Sequence, residues 1–312
     1  MIHKAKKSLG LNKFSVENLS PDFSSHRAKK NLGQNFLKSK EALFKMCEAG
    51  GVSDKDVIVE IGPGKGALTE KLLEKAYKVI AIEKDRDLID ILKDKFANEI
   101  KNGPNLSNKT NGQCKLTLLN EDILGFDPAK HGLKEGGYKI IANIPYNITG
   151  SIIRRFLSEV NKPITMTLLV QKEVAERIVA RDGKESILSL SVKAYGMPSY
   201  IMKVHKRFFS PSPKVDSAIV SINDISGKLF KDKSTEESFF TLIKAGFAHK
   251  RKVLRKNLED INIKEVEPSS SAGKLPKIDE IFKKLGINPK ARAEDVPFSK
   301  WVEMNDYFRE LI

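Results

Sequence analysis

The chain has 312 residues, with 55 Lys or Arg against 40 Asp or Glu, a formal charge of +15. That length can bury a full core without staples. Two cysteines far apart, Cys47 and Cys114, exclude a disulfide framework or a four-cysteine zinc site, fit a reducing compartment, and are expected to be inert thiols. No run approaches the roughly twenty apolar residues of a membrane span, and the N-terminus lacks the apolar core of a secretory signal. A soluble cytoplasmic protein with a polyanionic partner is expected.

Residues 1–25 carry Lys4, Lys6, Lys7 and Lys13 beside Glu17 and Asp22, which reads as a flexible basic extension. DVIVEIG (56–62) predicts a strand, ALTEKLLEKA (67–76) a helix, KVIAIEKD (78–85) a strand and RDLIDILKDKF (86–96) a helix. NEIKNGPNLSNKTNGQ (98–113) reads as an insertion. Strands follow at KLTLLN (115–120) and KIIANI (139–144), a helix at GSIIRRFLSEV (150–160), a strand at ITMTLLVQ (164–171) and a helix from Lys172 to Arg181. YIMKVH (200–205) and DSAIVSI (216–222), joined by FFSPSPKV, predict an antiparallel sheet edge. Near-continuous apolar strands alternating with helices indicate an α/β fold with a mostly parallel sheet covered on both faces. After residue 226 only helical patterns remain, at 237–258, 278–286 and 298–311, with a second insertion at 266–276. The expected organisation is the extension at 1–25, an α/β domain at 26–225 and a small helical domain at 226–312. A monomer is expected, with no metal site.

The first strand ends in EIGPGKGA (60–67). Glycines at a strand-to-helix turn let the backbone approach a ligand and aim amides at it. Gly62, Gly64 and Ala67 also satisfy dinucleotide spacing, so a nicotinamide oxidoreductase is one reading. A phosphate loop is excluded, because no Gly-Lys-Ser/Thr closes the turn. Glu83, at the end of the second strand, suits a ribose diol, whether of a dinucleotide or of S-adenosylmethionine. Asp122, after the third, can take an adenine amine or simply cap its own turn.

The fourth strand brings Asn143, Ile144, Pro145 and Tyr146 to the same edge of the sheet. An aromatic exocyclic amine is a poor nucleophile because its lone pair is delocalised into the ring. The Asn143 amide oxygen and a main-chain carbonyl in the Ile144–Pro145 stretch can accept both amine hydrogens, turn the lone pair toward an electrophilic methyl and stabilise the charge that develops. Pro145 fixes the turn and removes a donor. Tyr146 would stack on the base. No general base is needed before attack.

NLGQNFL (31–37), EIGPGKGALT (60–69), EDI (121–123), NIPYNIT (143–149), QKEVAERI (171–178), FSPSPKVDSA (209–218) and FAHKRKVLRKNL (247–258) occur in that order. Together they resemble the KsgA-type ribosomal RNA adenine dimethyltransferases, which share their catalytic domain with the erythromycin-resistance methylases. The resemblance covers roughly residues 27–312 apart from the insertions. It implies a Rossmann-like methyltransferase sheet with a helical C-terminal domain, S-adenosylmethionine as cofactor and N6,N6-dimethyladenosine as product. It also implies cofactor contacts at Gln34, Asn35, Leu37, Gly62, Gly64, Glu83, Asp122 and Asn143, with Asn143, Pro145, Tyr146 and Phe209 catalytic. Phe209 would sandwich the target adenine opposite Tyr146, as aromatics hold splayed-out bases elsewhere, while Phe208 is expected in the core.

Basic residues gather at Arg27, Lys29, Lys30 and Lys38, and again at Lys250, Arg251, Lys252, Arg255 and Lys256. No acid interleaves between 244 and 258, so the second group reads as a phosphate-binding helix face. The resemblance implies dimethylation of two adjacent adenosines in the 3′-terminal hairpin loop of small-subunit (16S) ribosomal RNA, in the assembling 30S subunit. LGQNFL and PKARAED favour this over a resistance-type methylase of large-subunit (23S) RNA. A non-catalytic RNA-binding protein on the same fold is the remaining alternative, opposed by the intact Asn143, Tyr146 and glycine turn.

Overall fold

In the computed structural model, residues 27–29, 32–101, 114–259 and 278–309 are described. The expected N-terminal extension, Lys30 and the insertion at 266–276 lie outside them. Of the insertion at 98–113, residues 98–101 lie in a short helix, Ala97–Lys101, and the rest falls outside.

β1 (Phe36–Leu37) and α1 (Lys40–Ala49) precede the predicted alternation. It runs β2 (Val57–Ile61), α2 (Ala67–Lys75), β3 (Lys78–Ile82), α3 (Arg86–Lys95), α4 (Ala97–Lys101), β4 (Leu116–Leu119), β5 (Lys139–Asn143), α5 (Thr149–Ser158), β6 (Thr165–Gln171) and α6 (Lys172–Ile178). Then come α7 (Ile187–Lys193), β7 (Met197–Val204), β8 (Phe209–Ser210) and β9 (Ser217–Asn223). The seven-stranded sheet has the order β4-β3-β2-β5-β6-β9-β7. β4 through β6 are mutually parallel, and β9 runs antiparallel to both β6 and β7. The predicted antiparallel edge is therefore present. β2 and β5 lie side by side although β3 and β4 separate them in sequence. Strand order thus reverses beside β2, where open α/β sheets form a ligand crevice at their carboxyl ends.

β8 pairs antiparallel with β1, Leu37 opposite Phe209 and Phe36 opposite Ser210. This small ribbon was not legible beforehand, because two-residue strands have no periodicity. It reverses the expectation for the two phenylalanines. Phe209 is 3% exposed and belongs to the buried cluster of Leu37, Leu43, Met46 and Ile219, whereas Phe208 is only partly buried. Successive residues of a strand point to opposite faces, so with Phe209 turned inward Ser210 is the residue on the cavity wall.

The C-terminal helices are α8 (Lys233–Gly246), α9 (Leu254–Glu259), α10 (Ile278–Leu285) and α11 (Phe298–Phe308). The single helix predicted over 237–258 is two helices with a turn between them. Gly246 packs so tightly on Trp301 that a Cβ there would lie 2.3 Å from the indole. The Asn257 amide caps the break, donating to the carbonyls of Gly246 (2.5 Å) and His249 (3.2 Å). Lys250, Arg251 and Lys252 accordingly sit in an exposed turn rather than on a helix face. One buried cluster runs from Val59, Ile140 and Leu168 in the sheet through Phe239 and Leu242 to Trp301 and Phe308. The helices beyond residue 226 share their core with the sheet.

Cys47 is buried, which pushes its thiol up to about 11. Cys114 is exposed. No described helix is long and apolar enough to cross a membrane.

Candidate active site

β2 ends in the run Gly62-Pro63-Gly64-Lys65-Gly66, and three left-handed glycines (φ 63°, 58° and 76°) turn the chain into α2. A side chain would strain each of them. The turn forms one wall of a cavity of about 560 Å³, a size suited to a cofactor. Gln34, Asn35, Phe36, Leu37, Gly62, Gly64, Glu83, Asp122, Asn143, Pro145 and Tyr146 all line it. Ten of these were expected from the sequence; Phe36 was not. Its ring lies against the turn, so a Cβ on Gly64 would come within 3.0 Å of it, and the Lys65 ammonium sits 5.3 Å from its centroid.

Glu83 is nearly buried and accepts backbone hydrogens from Asp85 (2.8 Å) and Gly64 (3.2 Å). Burial raises its pKa in spite of these bonds. The carboxylate therefore ties the end of β3 to the glycine turn, and each oxygen keeps a lone pair for a diol. Asp122 caps its own turn by accepting from Leu124 N–H at 3.0 Å, and it pairs with Lys84 at 2.8 Å. Those two partners hold its carboxyl below the usual range. The capping role and a place on the cavity wall coexist. Arg155 of α5 donates to the carbonyls of Leu124 (2.6 Å) and Phe126, so the helix that follows the Asn143–Tyr146 segment also clamps the Asp122 loop.

Glu60 is 1% exposed, lines the cavity, and its Oε2 has no hydrogen-bond partner among the described residues. Burial pushes its carboxyl up to about 8. Near neutral pH it is therefore held largely as the neutral acid.

Asn143 stands at the last position of β5, beside Leu169 of β6. Its Nδ2 donates to the Asn35 carbonyl at 3.0 Å, which fixes the amide and leaves Oδ1 as an acceptor. The Pro145 carbonyl accepts from Ile148 N–H at 3.3 Å, which engages one of its two lone pairs. Tyr146 opens a 3₁₀ turn, Tyr146–Ile148, and its hydroxyl meets Ser217 Oγ at 2.6 Å.

The basic residues separate into different roles. Lys29 does not offer a free charge to RNA. Its ammonium contacts Asp85 at 2.6 Å and Asp87 at 2.8 Å, while its backbone N–H donates to Gln34 Oε1. Gln34 Nε2 in turn reaches Asp85 at 2.8 Å. Lys29 and residues 32–37 thus form a strap from β3 across the cavity to the β1–β8 ribbon. Asp85 has the signature of a helix N-cap (it accepts from Asp87 N–H at 3.2 Å), which was readable beforehand; its ties to the strap were not. Arg255 is also committed, with a two-pronged contact to Asp279 (2.5 and 2.9 Å) and another to Glu259 (3.2 Å). The acids missing from the window around α9 come from α10 and from one residue beyond the window. Arg27, Lys250, Arg251, Lys252 and Lys256 are exposed, and Lys30 lies outside the described residues. A larger groove between α5, α7 and α8 includes Arg154, Lys244 and Lys250, but acids on its walls match the bases in number.

A doubly wound sheet with an antiparallel β9–β7 edge, a three-glycine turn after β2 and an acidic residue closing β3 define a Rossmann-like methyltransferase. The profile described as "Ribosomal RNA adenine dimethylase" matches residues 25–310. The chain belongs to that family. It is 38% identical over 282 residues to the ribosomal RNA small subunit methyltransferase A of Fusobacterium nucleatum, covering 90% of this chain and 97% of that one. It is 39% identical over 279 residues to the protein of the same name from Dehalococcoides mccartyi, covering 89% and 87%. Among solved structures, a dimethyladenosine transferase from Plasmodium falciparum superposes with a TM-score of 0.67 at 25% identity, covering 87% of this chain and 98% of that one. The 23S rRNA methyltransferase ErmE superposes at 0.68 with 22% identity and the same coverage, a likeness of fold. The glycine spacing shared with dinucleotide enzymes is therefore that of a methyltransferase turn.

Proposed function

We propose that this enzyme transfers methyl groups from S-adenosylmethionine to the N6 amines of two adjacent adenosines in the 3′-terminal hairpin loop of small-subunit ribosomal RNA. The product is N6,N6-dimethyladenosine, made in the cytoplasm during subunit assembly by a monomeric enzyme. The observation that carries the chemistry is the Asn143 amide, fixed through Nδ2 to the Asn35 carbonyl so that its oxygen is the end available to a substrate amine. The relatives named for the small subunit, at 38% and 39% identity, favour that RNA over the large subunit.

The cavity suits the cofactor. Glu83 would take the ribose hydroxyls and Asp122 the adenine amine. Gly62 and Gly64 would let the backbone come close, and Gln34, Asn35 and Leu37 would close the strap over it. When bound, S-adenosylmethionine supplies the electrophilic methyl group.

The protein's own contribution is positioning. Asn143 Oδ1 and a main-chain carbonyl of the Ile144–Pro145 stretch accept the two amine hydrogens, which orients the nitrogen lone pair and disperses the positive charge that grows on it. The extra proton leaves after transfer, so no base must act first. Tyr146 lies against the adenine face. Phe209, in the core behind the ribbon, supports the wall rather than forming the second face of a sandwich. Lys250, Arg251 and Lys252 would contact phosphates.

The test is tritiated methyl transfer to undermethylated small subunits and, in parallel, to protein-free large-subunit RNA, with products mapped by primer extension. Paired dimethyladenosines in the small-subunit 3′ hairpin support the reading. Label confined to large-subunit RNA would replace it with the resistance-type activity, and tight RNA binding without label would leave a non-catalytic protein.

A further inference from the structure

Tyr146 is carried by a single 3₁₀ turn rather than by a strand or a long helix, yet a stacking platform must hold one position. Ser217, the first residue of β9, lies opposite Gln171 of β6 on one side and Val204 of β7 on the other, so strands bracket its backbone. Its side chain is fully buried. A hydroxyl buried there is costly unless bonded, and the partner it has is the Tyr146 hydroxyl at 2.6 Å. We propose that Ser217 is a positioning residue for methyl transfer, pinning the Tyr146 ring in the place that receives the target adenine. This rests on the reading of Tyr146 as the stacking surface.

A tyrosine side chain has two soft torsions. The phenolic oxygen lies on the axis of the second, so a bond to it acts on the first: with its far end held, the side chain cannot swing away from the cavity wall. Ser217 holds that far end from the most rigid element nearby, which is how a site on a loop gains the precision of a site on a strand. Burial raises the phenol's pKa, so it remains protonated and the bond persists across neutral pH. Because RNA affinity comes mainly from phosphates bound elsewhere on the protein, removing the pin should misorient the base without releasing the RNA.

The experiment compares Ser217→Ala, Tyr146→Phe, the double variant and Tyr146→Ala, measuring kcat and KM on undermethylated small subunits and S-adenosylmethionine affinity by calorimetry. Ser217→Ala and Tyr146→Phe delete the same bond from opposite ends. Each is expected to lower kcat about tenfold with KM and cofactor affinity within twofold, and the double variant to be no worse than either. Tyr146→Phe keeps the ring and touches no buried strand position, so it reports even if Ser217→Ala folds poorly. Wild-type kcat in Tyr146→Phe, with Tyr146→Ala inactive, would overturn the pin and leave stacking intact. Wild-type kcat in Tyr146→Ala would overturn the stacking reading itself. Multiplying losses in the double variant would also overturn the proposal, since the two groups would then act separately.

Discussion

The side-chain amide of Asn143, at the end of β5, donates to the main-chain carbonyl of Asn35 at 3.0 Å, joining residues 108 apart in sequence. One bond therefore fixes the amide that the proposed function makes the acceptor for the substrate amine, and anchors the strap over the cavity. Asn143→Ala removes both. Single-turnover methyl transfer should fall by about 10²–10³-fold, the scale of removing one preorganised group that acts in the transition state. S-adenosylmethionine affinity should fall only several-fold and RNA affinity less still. Equal losses in RNA binding and rate would remove Asn143 from the chemistry.

Lys29 was expected among the phosphate-binding residues, and its position over Asp85 and Asp87 makes a different prediction. Lys29→Met should raise the dissociation constant for S-adenosylmethionine a few-fold, because the strap loses its tie to the end of β3. The salt dependence of RNA binding should not change. A shallower slope would return Lys29 to the RNA interface.

Lys250, Arg251 and Lys252 project from the turn between α8 and α9, while Arg255 is held by Asp279 and Glu259. Neutralising any one of the first three should weaken RNA binding and reduce the slope of log K against log salt by about 0.7–0.9 for each phosphate left without its cation. Arg255→Gln should leave the slope alone and lower the melting temperature slightly instead, as expected for an exposed ion pair. Filter binding across a salt series, with thermal melts alongside, separates the two outcomes.

Burial holds the Glu60 carboxyl at about 8, against about 4.5 in an unfolded chain. Between those values the folded protein keeps a proton that the unfolded chain has released. The stability this proton confers is full below about pH 4.5 and is lost as pH rises through 8. Glu60→Gln cannot lose a proton, so its stability relative to wild type should rise from pH 5 to pH 8 by an amount on the order of a few kcal/mol. Urea unfolding of both proteins at the two pH values checks it; parallel behaviour would mean that Glu60 ionises normally.

Most of the sheet could be read along the chain because each strand announces itself locally. VIVEI, KVIAI and TMTLLVQ are apolar runs bounded by charge and turn residues, and their predicted limits differ from the observed ones by at most three residues. The β1–β8 ribbon could not be read, since two residues carry no period and their pairing spans a gap of 172 residues between Leu37 and Phe209. The predicted long helix over 237–258 failed for a related reason: its break is dictated by the indole of Trp301, which no window around Gly246 contains.

The sequence by itself determined which residues can carry the chemistry. The glycines after β2, the acid closing β3 and the amide closing β5 are each the end of a locally coded strand, and a parallel sheet brings all such ends to one edge. Tertiary structure alone decided how those groups are used. Whether a lysine is available to RNA, which phenylalanine is buried, which way an amide points and what steadies Tyr146 depend on partners distant in the chain: Lys29 on Asp85, Phe209 on Leu37, Asn143 on Asn35, Tyr146 on Ser217. Hydrogen bonds and ion pairs act over a few ångströms, so they belong to the folded geometry and leave no trace in local composition.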